Sequence, residues 1–442
     1  MYTYRRHLTE TFKLALPVSI GQLSHIMMGV EDSLMVGRVG ADALAASSLV
    51  NGLVFLVVVF GLGMSLAITP LVAIARGREN YYECGIILRQ ALLVNMVVAV
   101  LLLLIVYFFA GTIGYLNQPK LVTIKAISYA RIISFSIIPF ILFQSYRQFI
   151  EGLSFTRPAM YITIAANIVN ILGNWIFIYG NCGVPAYGLD GAGYSTFISR
   201  SFMAITIMIY VLSAGRYKQF DPTFRFRNIN WNIIRKVLSL GLPSGLQHFF
   251  EVGAFSFSAV MIGWLGSNAL AAHQVALSLA SISFMIILGV SAAGTIRVGN
   301  AYGRQNQNEV RQSGFLALVF AAAVMAVFAI IFILFRYQLP SLFIEDQQVI
   351  STAATILIVA AFFQISDGSQ AVGLGILRGI TDVKIPMIIT FIAYWVVALP
   401  VGYILGFKAG QGVTGVWLGL LAGLTTAAIL LNIRFHFMTK SI

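Results

Sequence analysis

Long apolar segments separated by short polar breaks run along the whole chain. A helix that crosses a lipid bilayer needs about 20 largely apolar residues, and the sequence offers twelve stretches of that kind. They cover residues 12–37, 43–75, 85–110, 121–147, 158–180, 190–213, 235–264, 269–300, 312–336, 348–376, 385–407 and 412–437. The pattern predicts an all-α polytopic membrane protein with twelve transmembrane helices, and an even number of crossings places both termini on one side.

Composition agrees with this prediction and excludes other classes of protein. Of the 442 residues, 59% are apolar and 10% are charged, whereas a soluble domain carries about a quarter charged residues. The mean hydropathy of +0.89 is too high for a water-soluble surface. These values exclude a soluble globular enzyme, a disulfide scaffold and a disordered chain.

The basic residues indicate which side of the membrane each loop occupies. Three quarters of the 28 Lys and Arg residues fall on the side that holds both termini, and Arg200 falls within a span. Cytoplasmic loops carry an excess of Lys and Arg, so we predict that both termini are cytoplasmic. The net charge of +13 reflects this asymmetry and does not indicate nucleic-acid binding.

The two halves of the chain repeat one another. LALPVSIGQ surrounds Pro17 and LGLPSGLQH surrounds Pro243, 226 residues later. The same offset relates Gly77, Arg78, Asn80 and Glu83 to Gly303, Arg304, Asn306 and Glu309. An ungapped register over about 70 residues indicates internal duplication. We therefore predict an N-lobe at 1–213, a cytoplasmic linker at 214–234 and a C-lobe at 235–442.

Each predicted lobe holds six spans, so both lobes insert in the same orientation. Such repeats are related by a pseudo-two-fold axis along the membrane normal. We expect a central cleft between the lobes and a rocking motion that exposes it to each side in turn. The function that this architecture favours is transport by alternating access.

Four acidic residues fall inside predicted spans, away from the ends of the helices: Glu31, Asp32, Glu251 and Asp367. A charged side chain in the bilayer costs a few kcal/mol or more, and such groups usually face a polar cavity where they bind an ion or a substrate. Structural pairing is the alternative interpretation. Glu251 is the strongest candidate, because it lies deep in its helix with no Lys or Arg within two turns.

Other polar residues in the spans extend this set. His25 corresponds to Glu251 in the repeat and either titrates near neutral pH or stays neutral in a hydrogen bond. Asn170 and Asn174 lie one turn apart, and a GxGxxT run that ends at Thr196 follows them. Their oxygen atoms suit Na⁺ or a protonatable network, whereas interhelical hydrogen bonding is the alternative.

Motifs for other chemistries are missing from the sequence. It contains no GxxxxGK[ST], HExxH or GxSxG motif, and its five histidines show no spacing typical of metal ligands. We therefore expect no cofactor and no transition-metal site. An ion gradient or the gradient of the substrate itself would then drive transport.

Several longer segments are similar to a known family. They are LALPVSIGQ, MMGVEDSLMVGRVGADALAA, NIVNILGNWIFIYG and GAGYST in the first half, and LGLPSGLQHFFEVGAFSF, ALAAHQVAL and QISDGSQAVGLGILRG in the second. With these segments the chain resembles the multidrug and toxic compound extrusion (MATE) family, in its NorM-like bacterial branch, over nearly its whole length.

The resemblance implies an antiporter in the bacterial cytoplasmic membrane that exports cationic or amphipathic compounds in exchange for Na⁺ or H⁺. We expect it to be a monomer. By position in the family's motifs, the N-lobe coupling site comprises Asp32, Asn170, Asn174 and Thr196, and the C-lobe site comprises Glu251 and Asp367. Glu31 and His25 are possible accessory residues. The chain departs from some relatives at Asn174, where they have aspartate, and at Phe363, where they have tyrosine.

Two other classes of function remain as alternatives. A lipid-linked oligosaccharide flippase shares the two-lobed architecture but would line its cavity with Arg and Lys, and Arg200 is the basic residue placed within a span. A narrow-specificity metabolite exporter would share the same fold. A membrane-embedded enzyme would need a cluster of acid–base or nucleophilic groups, which the sequence does not show.

Overall fold

The computed structural model describes residues 2–223 and 229–440, with the side chains of residues 2–6 left aside. Residues 224–228 of the predicted linker, with Arg225 and Arg227, lie outside this described part. Within it the chain forms helices and short connections, with no β-strand. The predicted all-α fold is therefore confirmed for the described residues.

The helices follow the predicted spans closely. The first half contains α1 (Tyr2–Gly37), α2 (Ala41–Ser65), α3 (Ile68–Gly77), α4 (Tyr81–Phe109), α5 (Lys120–Phe135), α6 (Ile137–Gly152), α7 (Arg157–Phe177) and α8 (Leu189–Ser213). The second half contains α9 (Trp231–Gly263), α10 (Ser267–Gly303), α11 (Gln307–Leu334), α12 (Gln338–Ser341), α13 (Gln347–Gly379), α14 (Lys384–Phe391), α15 (Leu399–Tyr403) and α16 (Gly412–Met438). Short 3₁₀ segments follow α4 and α8, and π-helical segments at Ile392–Ala398 and Ile404–Lys408 follow α14 and α15.

Ten helical segments of the described chain are long and apolar enough to cross a membrane. The helices α1 and α9, with 36 and 33 residues, are also long enough to cross a membrane. They correspond to the first and seventh predicted spans and contain three of the four acidic candidates. Together these segments account for all twelve predicted spans.

Two predicted spans are divided in the first half, and their counterparts are continuous. The breaks fall at Leu66 between α2 and α3, and at Ser136 between α5 and α6. Proline lacks the N–H group that would bond to the carbonyl four residues earlier. Pro70 and Pro139 therefore leave the carbonyl groups of Leu66 and Phe135 without helical partners. The counterparts α10 and α13 contain no proline and run through unbroken.

The repeated polar loop residues cap a helix in each half. The Asn80 side chain accepts a hydrogen bond from the backbone N–H of Glu83 at the start of α4. Asn306 accepts the equivalent bond from Glu309 at the start of α11. Asparagine is a favoured N-cap because it satisfies an otherwise unpaired helix N–H. The 226-residue repeat therefore extends from sequence to local hydrogen bonding.

The chain divides into two compact units. The N-unit comprises Ile20–Gly245, and the C-unit comprises the start of the chain through Ser19 together with the chain from Leu246 onward. Both divisions fall inside a helix, two residues after the repeated prolines Pro17 and Pro243. The lobe boundaries drawn from the sequence, at 213 and 235, stay a prediction.

Within the C-unit, glycines on α16 let its backbone come into direct contact with the backbone of the helical segments before it. A Cβ atom at Gly419 would lie 2.3 Å from the Cα of Gly402. A Cβ at Gly423 would lie 2.6 Å from the carbonyl oxygen of Ala393. Gly415, one turn before Gly419, approaches the backbone at Leu405 in the same way. Small residues at helix interfaces allow such close approach in membranes, and here they hold the π-helical segment Ile392–Ala398 against α16.

We predict that Gly419→Ala lowers the melting temperature of the purified protein. The new methyl group would overlap the backbone of α15, and overpacking of this kind costs about 1–3 kcal/mol. Gly52→Ala is the matched control, because Gly52 lies in α2 with nothing within 4 Å of the added Cβ. Equal melting temperatures for both variants and the wild type would contradict the close contact.

Candidate functional site

The N-unit candidates converge on Asp32, which is 8% exposed in α1. The amide Nδ2 of Asn174 donates to its Oδ1 at 2.6 Å, and the Thr196 hydroxyl lies 3.4 Å from its Oδ2. The Oδ1 of Asn170 accepts from the same Asn174 amide at 3.2 Å. Four residues from three helices, all singled out from the sequence, therefore form one polar cluster.

The close approach of α7 and α8 assembles this cluster. Asn170 and Asn174 lie one turn apart on α7, and the Ser195 hydroxyl of α8 donates to the carbonyl oxygen of Asn170 at 2.8 Å. A Cβ at Gly191 would lie 2.4 Å from the carbonyl oxygen of Phe177. The first glycine of the GxGxxT run thus serves helix packing, and the run contributes its terminal Thr196 to the cluster.

The accessory candidates contact other groups. The imidazole of His25 stacks on the ring of Phe140 at 5.3 Å with an interplanar angle of 13°, and it makes no hydrogen bond within the described part of the chain. The hydrogen bond expected for a neutral His25 is therefore absent there. The Oε2 atom of Glu31 is buried and has no hydrogen-bond partner among the described residues, so Glu31 does not join the Asp32 cluster.

Arg200 is a member of this region that the sequence interpretation did not place in the site. It lies one turn after Thr196 on α8, and its guanidinium carbon is 4.6 Å from the centre of the Phe140 ring. Its Nη1 donates to the Ser136 hydroxyl at 2.8 Å. Arg200 is also the cation in the electrostatic surroundings of Asp32. Its spacing from Thr196 was the signal that could have revealed it.

The C-unit candidates form a second polar cluster. The Oε1 of Glu251 on α9 accepts from the Tyr394 hydroxyl at 3.2 Å and from the Gln370 amide at 3.3 Å. The Tyr394 hydroxyl also lies 3.0 Å from the Oε1 of Gln370. Asp367, 5% exposed on α13, interacts electrostatically with Glu251 and makes no hydrogen bond within the described part. The cation in the surroundings of Glu251 is Arg378.

Tyr394 and Gln370 were missed by the sequence interpretation. Gln370 lies three residues after Asp367 on α13, so it shares a helix face with that residue. Tyr394 lies in the π-helical segment Ile392–Ala398, and π-helical turns occur frequently at functional sites. The Trp395 indole donates to the carbonyl oxygen of Phe250 at 3.0 Å and attaches this segment to α9. A π-helical turn has no signature in hydrophobic periodicity.

Comparison with known proteins establishes the family. The MatE family model matches residues 17–176 and 243–404, which include Asp32, Asn170, Asn174, Glu251 and Asp367. The chain belongs to the MatE family. The resemblance noted in the sequence is therefore confirmed, and both polar clusters of this MatE chain lie largely within the matched residues.

Several relatives are similar in sequence to this chain over almost its whole length. "Multidrug resistance protein NorM" from Vibrio vulnificus is 32% identical, over 100% of this chain and 97% of its own length. "Probable multidrug resistance protein NorM" from Idiomarina loihiensis is 36% identical, over 97% and 94%. "Multidrug resistance protein MdtK" from Yersinia pseudotuberculosis is 34% identical, with the same coverage of 97% and 94%.

Solved structures share the fold of this MatE chain at low identity. The structure named "Crystal structure of eukaryotic MATE transporter AtDTX14" superposes with a TM-score of 0.89 at 19% identity, covering 98% of this chain and 96% of that one. A transporter of the MOP superfamily from Pyrococcus furiosus superposes with a TM-score of 0.90 at 22% identity, with the same coverage of 98% and 96%. These likenesses confirm the all-α fold.

Phe363 lies one turn before Asp367 on α13 and carries no oxygen atom in its side chain. Its ring packs against Trp417 at 5.4 Å and against Phe255 at 6.2 Å between ring centres. Phe255 in turn lies 5.8 Å from the ring of Tyr394. Phe363 therefore belongs to an aromatic cluster and offers no oxygen to the carboxylates. The hydroxyl group beside Glu251 comes from Tyr394, on a different helical segment.

We predict that Asn174→Leu destabilises the protein by about 1–3 kcal/mol, the typical cost of leaving buried polar atoms unpaired. Leucine has a similar size but lacks the amide N–H groups that donate hydrogen bonds to Asp32 and Asn170. Thermal melts of Asn174→Leu, Asp32→Asn and the double variant complete a mutant cycle. The double variant should lose less stability than the sum of the two single variants, and strict additivity would contradict the contact.

Proposed function

We propose that this MatE-family chain is a secondary active multidrug efflux transporter. It exports cationic or amphipathic organic compounds in exchange for Na⁺ or H⁺ by alternating access. We place it in the bacterial cytoplasmic membrane with both termini in the cytoplasm. The names of the relatives support the multidrug assignment, and the chemistry of the two polar clusters supports coupling to a small cation.

The main support for coupling to a cation comes from the surroundings of three carboxylates, those of Asp32, Glu251 and Asp367. They lie within long helices of a strongly apolar chain, and none forms an ion pair within the described part. Amide and hydroxyl groups bind Asp32 and Glu251 instead. Because neutral donors do not cancel the negative charge, each carboxylate retains attraction for a mobile cation, and that attraction is stronger in a low dielectric than in water.

Arg147 and Arg297, two buried arginines outside the polar clusters, form ion pairs, whereas the carboxylates of the clusters form none in the described part of the chain. Arg147 binds Glu151 one turn away on α6 at 2.7 Å, and Arg297 lies 3.5 Å from Glu10. Each of these two arginines therefore has a carboxylate partner, Glu151 for Arg147 and the more exposed Glu10 for Arg297. The C-unit cluster, with the two carboxylates Glu251 and Asp367 and one arginine, Arg378, has an excess of negative charge. This excess favours a cationic cargo over the pyrophosphate of a lipid-linked oligosaccharide.

The mechanism that follows is competition for negative charge. A small cation or proton that binds Glu251, Asp367 or Asp32 neutralises the carboxylate and weakens its hold on an organic cation. When the ion leaves, the carboxylate regains its charge and binds a new organic cation. Exchange results because the small cation and the organic cation bind the same carboxylates at different times.

We predict that Glu251→Gln and Asp367→Asn each reduce gradient-driven ethidium transport in proteoliposomes by at least about tenfold, equivalent to about 1.4 kcal/mol. The amides keep the shape of the side chains and remove the charge. Glu345→Gln is the matched control, because it makes the same chemical change at an exposed position. Normal transport by both folded variants would refute the assignment.

We also predict that the gene protects an efflux-deficient bacterial strain against ethidium and a fluoroquinolone. The readout is the minimum inhibitory concentration, with the Glu251→Gln variant at equal membrane abundance as the comparison. Unchanged sensitivity would favour a narrow metabolite exporter or a flippase.

A further inference from the structure

Arginine side chains gather around an aromatic ring at one end of the N-unit. Phe155 belongs to the short connection between α6 and α7, two residues before α7 begins. The guanidinium carbon of Arg216 lies 5.6 Å from the centre of this ring, and that of Arg76 lies 5.9 Å from the same centre. Arg157 follows as the first residue of α7. These four residues are called the basic corner below.

Two antiparallel helices assemble the basic corner. The start of α8 lies against the end of α7, as the contact between Gly191 and Phe177 shows. At the other end of this pair, Phe155 precedes α7 and meets Arg216, which follows α8 in the 3₁₀ segment Gly215–Phe220. A Cβ atom at Gly85 of α4 would overlap the carbonyl oxygen of Phe220. Backbone packing therefore holds the segment that carries Arg216 in place.

The positive charges of Arg157 and Arg216 are not neutralised by the chain. Both side chains are exposed, and neither forms an ion pair within the described residues. The ring faces of Phe155 and Tyr210 attract the Arg216 guanidinium, but a ring face supplies no negative charge. The basic corner therefore presents unneutralised guanidinium groups at the surface.

The corresponding corner of the C-unit is neutralised internally. Asp382 lies two residues before α14, just as Phe155 lies two residues before α7. It forms an ion pair with Arg434, which lies near the end of α16. In the N-unit an aromatic ring takes the place of this carboxylate. The basic corner is thus complementary to an anion that comes from outside the chain.

Exposed apolar side chains lead along α7 and α8 to the basic corner. On each helix they recur at spacings of three and four residues, so they lie on one helix face. They are Tyr161, Ile164 and Ile168 on α7, and Ile205, Ile209 and Leu212 on α8. Both helices are long and apolar enough to cross a membrane. Acyl chains of the bilayer can therefore lie along these two apolar stripes, with a headgroup at the end that holds the arginines.

We propose that the basic corner binds the headgroup of an anionic phospholipid such as phosphatidylglycerol, whose acyl chains lie along the two apolar stripes. Guanidinium groups bind phosphate oxygens in a two-pronged geometry, and basic sites on the cytoplasmic side of transmembrane helices attract anionic headgroups. Membrane topology alone explains basic residues in loops but not two arginines on one ring. The proposal goes beyond the proposed function, because lipid binding needs neither an ion gradient nor a cargo.

Native mass spectrometry of the purified full-length protein tests the proposal by measuring the binding of single lipid molecules. The double variant Arg157→Gln/Arg216→Gln should bind phosphatidylglycerol at least about tenfold more weakly than the wild type, since two charges near a headgroup are lost. Its affinity for phosphatidylcholine should not change.

Arg131→Gln is the matched control for this measurement. Arg131 is exposed in the same unit and lies 5.7 Å from the ring of Tyr107. Its neighbour Ile132 lies against Gly193, at the opposite end of α8 from Arg216. Equal weakening by Arg131→Gln would overturn the proposal, because binding would then follow the total charge of the chain. Wild-type affinity in the double variant would also overturn it.

Competition with inorganic phosphate separates a lipid from a free anion. Excess phosphate should leave phosphatidylglycerol bound, because free phosphate has no acyl chains to lie along α7 and α8. Displacement of the lipid by phosphate would contradict the assignment of the corner to a phospholipid.

Photo-crosslinking locates the lipid without relying on a variant. A phosphatidylglycerol with a photoreactive acyl chain, in vesicles that hold the wild-type protein, should label mainly residues 157–168 and 205–216. Labelling should fall in the double variant at an unchanged melting temperature, since both substituted side chains are exposed. Labelling spread evenly over the exposed helices would contradict the proposal. Neither measurement involves transport, so a failure of ethidium export would leave this test intact.

Discussion

The structure depends on holding three carboxylates, Asp32, Glu251 and Asp367, within long apolar helices without an ion pair in the described part of the chain. In both units a carboxylate lies among amide and hydroxyl groups. These groups have fewer N–H and O–H donors than the cluster has oxygen acceptor sites. Asp32 takes a strong hydrogen bond from Asn174 at 2.6 Å, but the Thr196 hydroxyl lies nearer to the carbonyl of Ala192, at 2.9 Å, than to Asp32. Such incomplete satisfaction of buried polar atoms is costly in a low dielectric.

The two units surround their carboxylates with different residues, although the helices that carry these residues correspond in the repeat. The repeat places His25 at the position equivalent to Glu251, and His25 stacks on Phe140 without a hydrogen bond in the described chain. In the N-unit, Arg200 contributes a fixed positive charge to the surroundings of the carboxylate. In the C-unit, a second carboxylate and Arg378 take that place. The units therefore differ in local charge although their helices correspond.

Much of the fold and part of the site could be predicted from the sequence. Apolar runs and the 226-residue repeat identified the helices, because membrane insertion requires long uninterrupted apolar segments. The cost of burying charge identified Asp32, Glu251 and Asp367, and the one-turn spacing identified Asn170 and Asn174. Tyr394 and Gln370 were not identifiable this way, since neither carries a charge that apolar surroundings would penalise. Their importance comes from tertiary contacts.

The glycines of α16 have a consequence for how the Tyr394 hydroxyl is located. Main chain touches main chain at Gly419 and Gly423, so no rotamer change can absorb a small displacement of the neighbouring π-helical turn. The position of a single phenolic oxygen is thereby tied to residues that have no side chain and lie outside the polar cluster. Evolutionary tuning of this site can act through backbone spacing alone, in substitutions that a survey of polar residues would overlook.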